Sequence, residues 1–199
     1  LGIYHIIIEK ELGDFMKNIA AFFDIDGTLF RNSLMIQHFK KLIKYEVIDP
    51  SVWYNKVKYV YEEWEKRYGD FEHYLEVLSE VYIEELKGVN KSYIEFIASQ
   101  VINVNGDMVY KYSRDKIAWH KKQGHKVFFI SGSPDFLVSK MAEKYGVTEY
   151  RGTAYLVDED NNFTGEIIKM WDSENKQKTI REFVEKYNVD LENSYAYGD

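Results

Sequence analysis

Apolar and polar residues change rhythm twice along the chain. The run IAAFF at residues 19–23 is wholly apolar and ends in acid and glycine, the pattern of a buried strand leading into a loop. From about Leu34 the period becomes helical. Asp49 and Pro50 open a helix in which Trp53, Val57, Val60 and Trp64 recur at spacings of four, three and four, with Gly69 as its stop. Asp70 caps a second helix that runs to Lys87 and closes at Gly88, and a third covers about 91–103. The aromatic stripes of these helices read as core packing. Residues 34–105 therefore predict a helical bundle without strands.

From Ser113 the rhythm becomes an alternation of helix and strand. A helix at 113–123 stops at Gly124, a buried strand covers 127–130, a turn follows, and a helix runs over about 135–145. Residues 153–157 and 163–168 flank DEDNN as a hairpin. A helix at about 176–187 and a strand at 195–197 complete the pattern. The alternation predicts an α/β domain in two pieces, 16–33 and 106–199, separated by the helical insert. Pro50 and Pro134 follow Asp49 and Ser133 in the manner of first helical residues behind a cap. Met16 stands directly before KNIAAFFDIDG, so residues 1–15 read as an upstream extension.

Composition narrows the function classes. With 45% apolar and 30% charged residues, the chain has the make-up of a folded globular protein. Lys and Arg number 26 against 33 Asp and Glu, and the net charge of -7 repels polyanions, which argues against nucleic acid as a partner. Cysteine is absent, which removes disulfides, a thiol nucleophile and thiolate metal sites. No apolar stretch approaches the ~18–20 residues of a membrane span, since residues 3–8 are cut short by Glu9, Lys10 and Glu11. These features fit a cytoplasmic protein with no membrane partner.

The most informative string is DIDGT at 24–28. Side chains two apart at a strand end project to one side, which brings Asp24 and Asp26 together. Open α/β sheets bind ligands at the carboxyl ends of their strands. Two carboxylates placed there without a nearby Lys repel, and the usual relief is a divalent cation. An EF-hand loop would need Gly at its sixth position and Glu at its twelfth, where the chain has Leu29 and Met35. A solvent-exposed acidic turn leaves the buried run before it unexplained.

AAFFDIDGTLF at 20–30 resembles the first motif of the haloacid dehalogenase superfamily, in its phosphatase branch. The resemblance implies Asp24 as a nucleophile that attacks phosphorus and Asp26 as the general acid and base; an aliphatic dehalogenase would lack the second Asp. VFFISGS at 127–133 is similar to the second motif, which assigns Ser131 and the Gly132 amide to the phosphoryl oxygens. The third motif is a Lys near a helix start, and NKQKTI at 175–180 offers Lys176 and Lys178. Lys176 is preferred, because related phosphoserine phosphatases carry an apolar residue four positions on, as Ile180 is here. SYAYGD at 194–199 resembles the fourth motif, with Asp199 as a metal ligand. The family continues past this point with a second acid and at least one more strand.

The four motifs occur in order, and the resemblance implies a Rossmann-like parallel-sheet core with an inserted all-helical cap of the family's first cap class. It further implies Mg²⁺ held by Asp24, the Asp26 backbone carbonyl and Asp199, and a small phosphorylated metabolite as partner. The hairpin before Lys176 is similar to the phosphoserine-phosphatase-like subfamily IB. One departure stands out: that subgroup carries Glu nine positions after the nucleophile to receive an amino group, and this chain has Ser33. The implied activity is magnesium-dependent hydrolysis of a phosphomonoester through an aspartyl-phosphate. A phosphotransferase or phosphomutase of the same fold, and a non-catalytic phospho-ligand binder, remain as alternatives.

Overall fold

The apolar run becomes strand β1 (Ala20–Phe23), with all four residues buried. The computed structural model of the chain describes residues 17–198, so the extension assigned to 1–15 and the ligand assigned to Asp199 lie outside the described residues. β1 shares one sheet with β2 (Lys126–Pro134), β3 (Glu149–Val157), β4 (Phe163–Ile168) and β5 (Tyr195–Tyr197), in the order β4-β3-β2-β1-β5. β1 is parallel to β2 and β5, β2 is parallel to β3, and β4 runs antiparallel to β3 as the expected hairpin. This is the parallel-sheet α/β core that the pattern predicts.

Helices α1 (Leu34–Lys44), α2 (Pro50–Val52, a π-helical Trp53–Val57, then Lys58–Glu65), α3 (Phe71–Leu86) and α4 (Lys91–Asn105) follow β1. Each starts on a side chain that accepts an amide hydrogen bond: Ser33, Asp49, Asp70 and Asn90. α5 (Lys111–Lys122) leads into β2, α6 (Asp135–Tyr145) crosses from β2 to β3, and α7 (Ser173–Lys186) follows the hairpin behind the Asp172 cap. Among the described residues, no helix is long and apolar enough to cross a membrane.

Alternate residues of β1 serve opposite faces of the sheet, which accounts for its unbroken apolar run. Ala21 and Phe23 join a large cluster with Leu78 and Tyr82 of α3, Ile94 of α4, and Leu137 and Met141 of α6. Ala20 and Phe22 join a smaller cluster with Phe128 and with Phe183 of α7.

Three local expectations are corrected. β2 does not turn at Ile130 but continues to Pro134 with a register shift, so Pro134 stands at the position before α6, with no side-chain capping bond, rather than as its first helical residue. α2 ends at Glu65, before Gly69, because the left-handed position that reverses the chain is taken by Arg67 at φ 64°. α7 begins three residues ahead of Lys176, where Asp172 accepts the Asn175 amide at 2.8 Å.

Candidate active site

Just past β1 the chain is still registered against β5, with the Asp24 amide donating to the Tyr197 carbonyl at 2.9 Å. The loop then folds on one acceptor: the Ile25 carbonyl takes the amides of Leu29 at 2.8 Å and Phe30 at 2.7 Å. Gly27 turns the corner at φ 78°, a left-handed conformation that favours glycine. Ile25, Leu29 and Phe30 anchor the loop in the core, and Ser113 Oγ donates to the Thr28 carbonyl at 2.6 Å. DIDGT thus presents its two acids from a pinned turn.

Asp24 accepts its neighbour Ile25's amide on Oδ1 at 2.6 Å and meets Lys176 Nζ on Oδ2 at 2.6 Å. The pair is largely enclosed, at 19% and 30% side-chain exposure. Lys176 reaches it from the second turn of α7, whereas Lys178 is exposed.

Asp26, from the same loop, is held at both carboxylate oxygens. Its Oδ1 accepts the Leu34 amide at the start of α1 at 2.9 Å, and its Oδ2 accepts the Ser133 hydroxyl at 2.5 Å. Burial pushes this carboxyl up to about 6, reinforced by the charge of Asp24, while the Ser133 and Leu34 hydrogen bonds and Lys176 pull it down. It therefore exchanges its proton close to neutrality, unlike an ordinary surface Asp.

Ser131 lies on β2, which pairs directly with β1, and is fully buried; its Oγ accepts the Ser133 amide at 3.2 Å. It is not a helix cap, since α6 begins only at Asp135. Gly132 has a packing reason of its own: an added Cβ would lie 2.9 Å from Trp171 Cβ. Thr153 Oγ1 fixes this segment by donating to the Gly132 carbonyl at 2.8 Å.

The residues expected at the site are thus brought together from β1, β2 and α7, with Asp199 outside the described residues. No hydrogen bond among the described residues ends on the Asp26 carbonyl oxygen, so that oxygen and the Asp24 carboxylate offer the hard oxygen donors that Mg²⁺ takes. The described residues contain no group of three or more His, Asp or Glu that could hold a metal ion. Ser133, which the sequence offers as a helix cap, instead donates to Asp26, and its spacing of two from Ser131 on a strand is a legible signal of that place. Chemically, the arrangement sets a carboxylate against a cation, with a second carboxyl beside it that can give and take a proton.

A family model described as haloacid dehalogenase-like hydrolase matches residues 21–199. A Mycobacterium tuberculosis protein named "probable phosphatase" is 35% identical over 92 residues, covering 46% of this chain and 32% of that protein. The chain thus spans about a third of that relative's length. An "inhibition of morphological differentiation protein" of Streptomyces azureus is 25% identical over 186 residues, covering 92% of this chain and 66% of that one. Among solved structures, a protein of unknown function from Bordetella pertussis superposes with a TM-score of 0.69 at 16% identity, over 91% of this chain and 82% of that one. A phosphoserine phosphatase in a phospho-aspartyl intermediate analogue gives 0.56 at 20% identity, over 91% and 78%. These structural likenesses concern the fold.

Proposed function

The chain belongs to the haloacid dehalogenase-like hydrolase family, and from that premise we propose that it is a magnesium-dependent phosphohydrolase of small phosphomonoesters, with Asp24 as nucleophile. The observation that carries the reading is the Asp24–Lys176 contact at 2.6 Å beside a second, proton-exchanging carboxyl at Asp26. In this reading the Asp24 carboxylate attacks phosphorus, and splitting one slow hydrolysis into two displacements lowers each barrier. Asp26 gives its proton to the departing oxygen and then takes one from the attacking water. Lys176 offsets charge on the phosphoryl group, and Ser131 with the Gly132 amide holds its oxygens. Mg²⁺, held by Asp24, the Asp26 carbonyl and Asp199, would add Lewis-acid stabilisation of the same charge. Residues 34–105 would act as the cap that closes over the ester and excludes water.

The substrate proposed is a neutral or anionic alcohol ester rather than phosphoserine. Ser33 accepts the Ile36 amide as the cap of α1 and is buried, so position 33 brings no carboxylate to an ammonium. A buried ammonium without such a partner is costly. Phosphate release from p-nitrophenyl phosphate and a panel of phosphomonoesters, with and without Mg²⁺, tests the reading. Turnover that is unchanged by EDTA, or absent with every ester, overturns it.

A further inference from the structure

Ser133 plays no part in the chemistry above, yet its hydroxyl is the closest partner of Asp26, donating to Oδ2 at 2.5 Å. The side chain is only 4% exposed. It stands two residues past Ser131 on β2, and its own amide is held by Ser131 Oγ at 3.2 Å. The backbone around it is fixed from β3, where an added Cβ at Gly152 would come within 2.9 Å of the Ser133 carbonyl oxygen and 2.7 Å of Asp135 Cα. At the other Asp26 oxygen, the Leu34 amide donates at 2.9 Å from the start of α1. A carboxyl held at both oxygens by two separate elements keeps one orientation, and proton transfer in a transition state depends on orientation.

We propose that Ser133 is a positioning residue that aims the Asp26 carboxyl at the leaving-group oxygen. The inference rests on the phosphohydrolase reading and deepens it. In the first displacement an Asp24 oxygen bonds to phosphorus as the ester P–O bond breaks, and the Asp26 proton passes to the departing oxygen to give the alcohol. In the second, a water oxygen bonds to phosphorus, its proton passes to Asp26, and the P–O bond to Asp24 breaks to release phosphate. Ser133 keeps its own proton throughout; its contribution is orientation. Esters whose leaving group needs that proton therefore depend on Ser133, and esters with a stable leaving anion do not.

The test compares β-glycerophosphate, a poor leaving group, with 2,4-dinitrophenyl phosphate, a good one, on single preparations of wild type and Ser133→Ala with Mg²⁺. For β-glycerophosphate, kcat/KM is expected to fall roughly 10- to 100-fold, within the range of a general acid's contribution. For 2,4-dinitrophenyl phosphate the expected fall is less than ~3-fold. The ratio of the two is independent of how much of the variant folds. In an Asp26→Asn background, Ser133→Ala should change 2,4-dinitrophenyl phosphate hydrolysis by less than ~2-fold, because the residue acts through Asp26. Equal effects on both esters, or a loss of more than ~3-fold on 2,4-dinitrophenyl phosphate once Asp26 is gone, overturn the proposal. If wild type turns over neither these two nor any other ester of the panel, the phosphohydrolase reading itself fails and this inference falls with it, a result distinct from equal losses in an active enzyme.

Discussion

A carboxylate that meets an ammonium at 2.6 Å inside an enclosed site is either an ion pair that steadies the fold or a nucleophile held for use. Asp24→Asn separates the two, because the amide keeps the shape but cannot form an acyl phosphate. Turnover is expected to vanish while the thermal midpoint stays within a few degrees; retention of activity within about tenfold would remove Asp24 from the nucleophile role. The two lysines divide just as sharply. Lys176→Ala should lower kcat/KM by at least ~100-fold, the scale of one lost electrostatic stabiliser, and Lys178→Ala by less than ~3-fold. The opposite ranking, read by steady-state kinetics, would place the phosphoryl cation two positions further on. At this scale the sequence carried Asp24, Asp26, Ser131 and Lys176 because each sits in a short ordered string. It could not carry the Leu34 amide, since a backbone donor has no residue signature and depends on where α1 begins.

Elements were legible where a single physical signal set their limits and illegible where two signals competed. Asp49 and Asp70 each accept an amide at a helix start, as their side chains dictate, and the apolar residues of β1 fill both faces of a covered sheet. β2 was read four residues short because SGSP looks like a turn, while parallel pairing of Pro134 with Thr153 extends the strand. Nothing in the sequence announced how α1, α3 and α4 meet, and here His38 decides. His38 is fully buried on α1, with Nδ1 at 2.6 Å from the Tyr82 hydroxyl of α3 and Nε2 at 3.2 Å from the Ile94 carbonyl of α4. The carbonyl can only accept, so Nε2 carries the proton and Nδ1 accepts from Tyr82. Burial lowers the imidazole from 6.5 to about 4, against a smaller upward pull from the Ile94 hydrogen bond. The unfolded chain takes up a proton near 6.5 and the folded chain only near 4, so the contribution is full above 6.5 and is lost as pH falls through 4. Between pH 7 and 4.5 this amounts to about 2.5 kcal/mol. Urea unfolding at both pH values should show a drop smaller by about that amount in His38→Gln than in wild type. Equal drops in the two proteins would mean that His38 takes up its proton at the same pH in the fold as in the unfolded chain.

At the scale of the whole molecule, the question is whether the helical insert and the sheet stand or fall together. α4 joins the two, since it packs on α1 within the insert and on α6 beside the sheet. Its Ile94, Ile97, Val101 and Ile102 are all buried in the cluster that also holds Phe23, Phe129 and Met141. Burying four such side chains contributes ~6–12 kcal/mol, at ~1.5–3 kcal/mol each. That is comparable with the ~5–15 kcal/mol net stability of a typical domain, so the insert and the sheet are expected to unfold together. The tryptophans divide the molecule in a way that lets this be measured. Trp53 and Trp64 lie in α2, while Trp119 and Trp171 lie on α5 and just before α7. A Trp119→Phe, Trp171→Phe protein reports on the insert by fluorescence, and a Trp53→Phe, Trp64→Phe protein reports on the sheet domain. Each variant carries its own stability cost, because Trp64 stacks on Tyr74 at 5.6 Å. The comparison is therefore made within each variant, between its fluorescence midpoint in urea and its far-UV circular dichroism midpoint. Both variants are expected to give coincident midpoints, within ~0.3 M, as a single cooperative transition requires. If the insert's fluorescence moves ~1 M or more ahead of the dichroism, α4 must part from α6 before the sheet unfolds, and the two parts then hold independent cores.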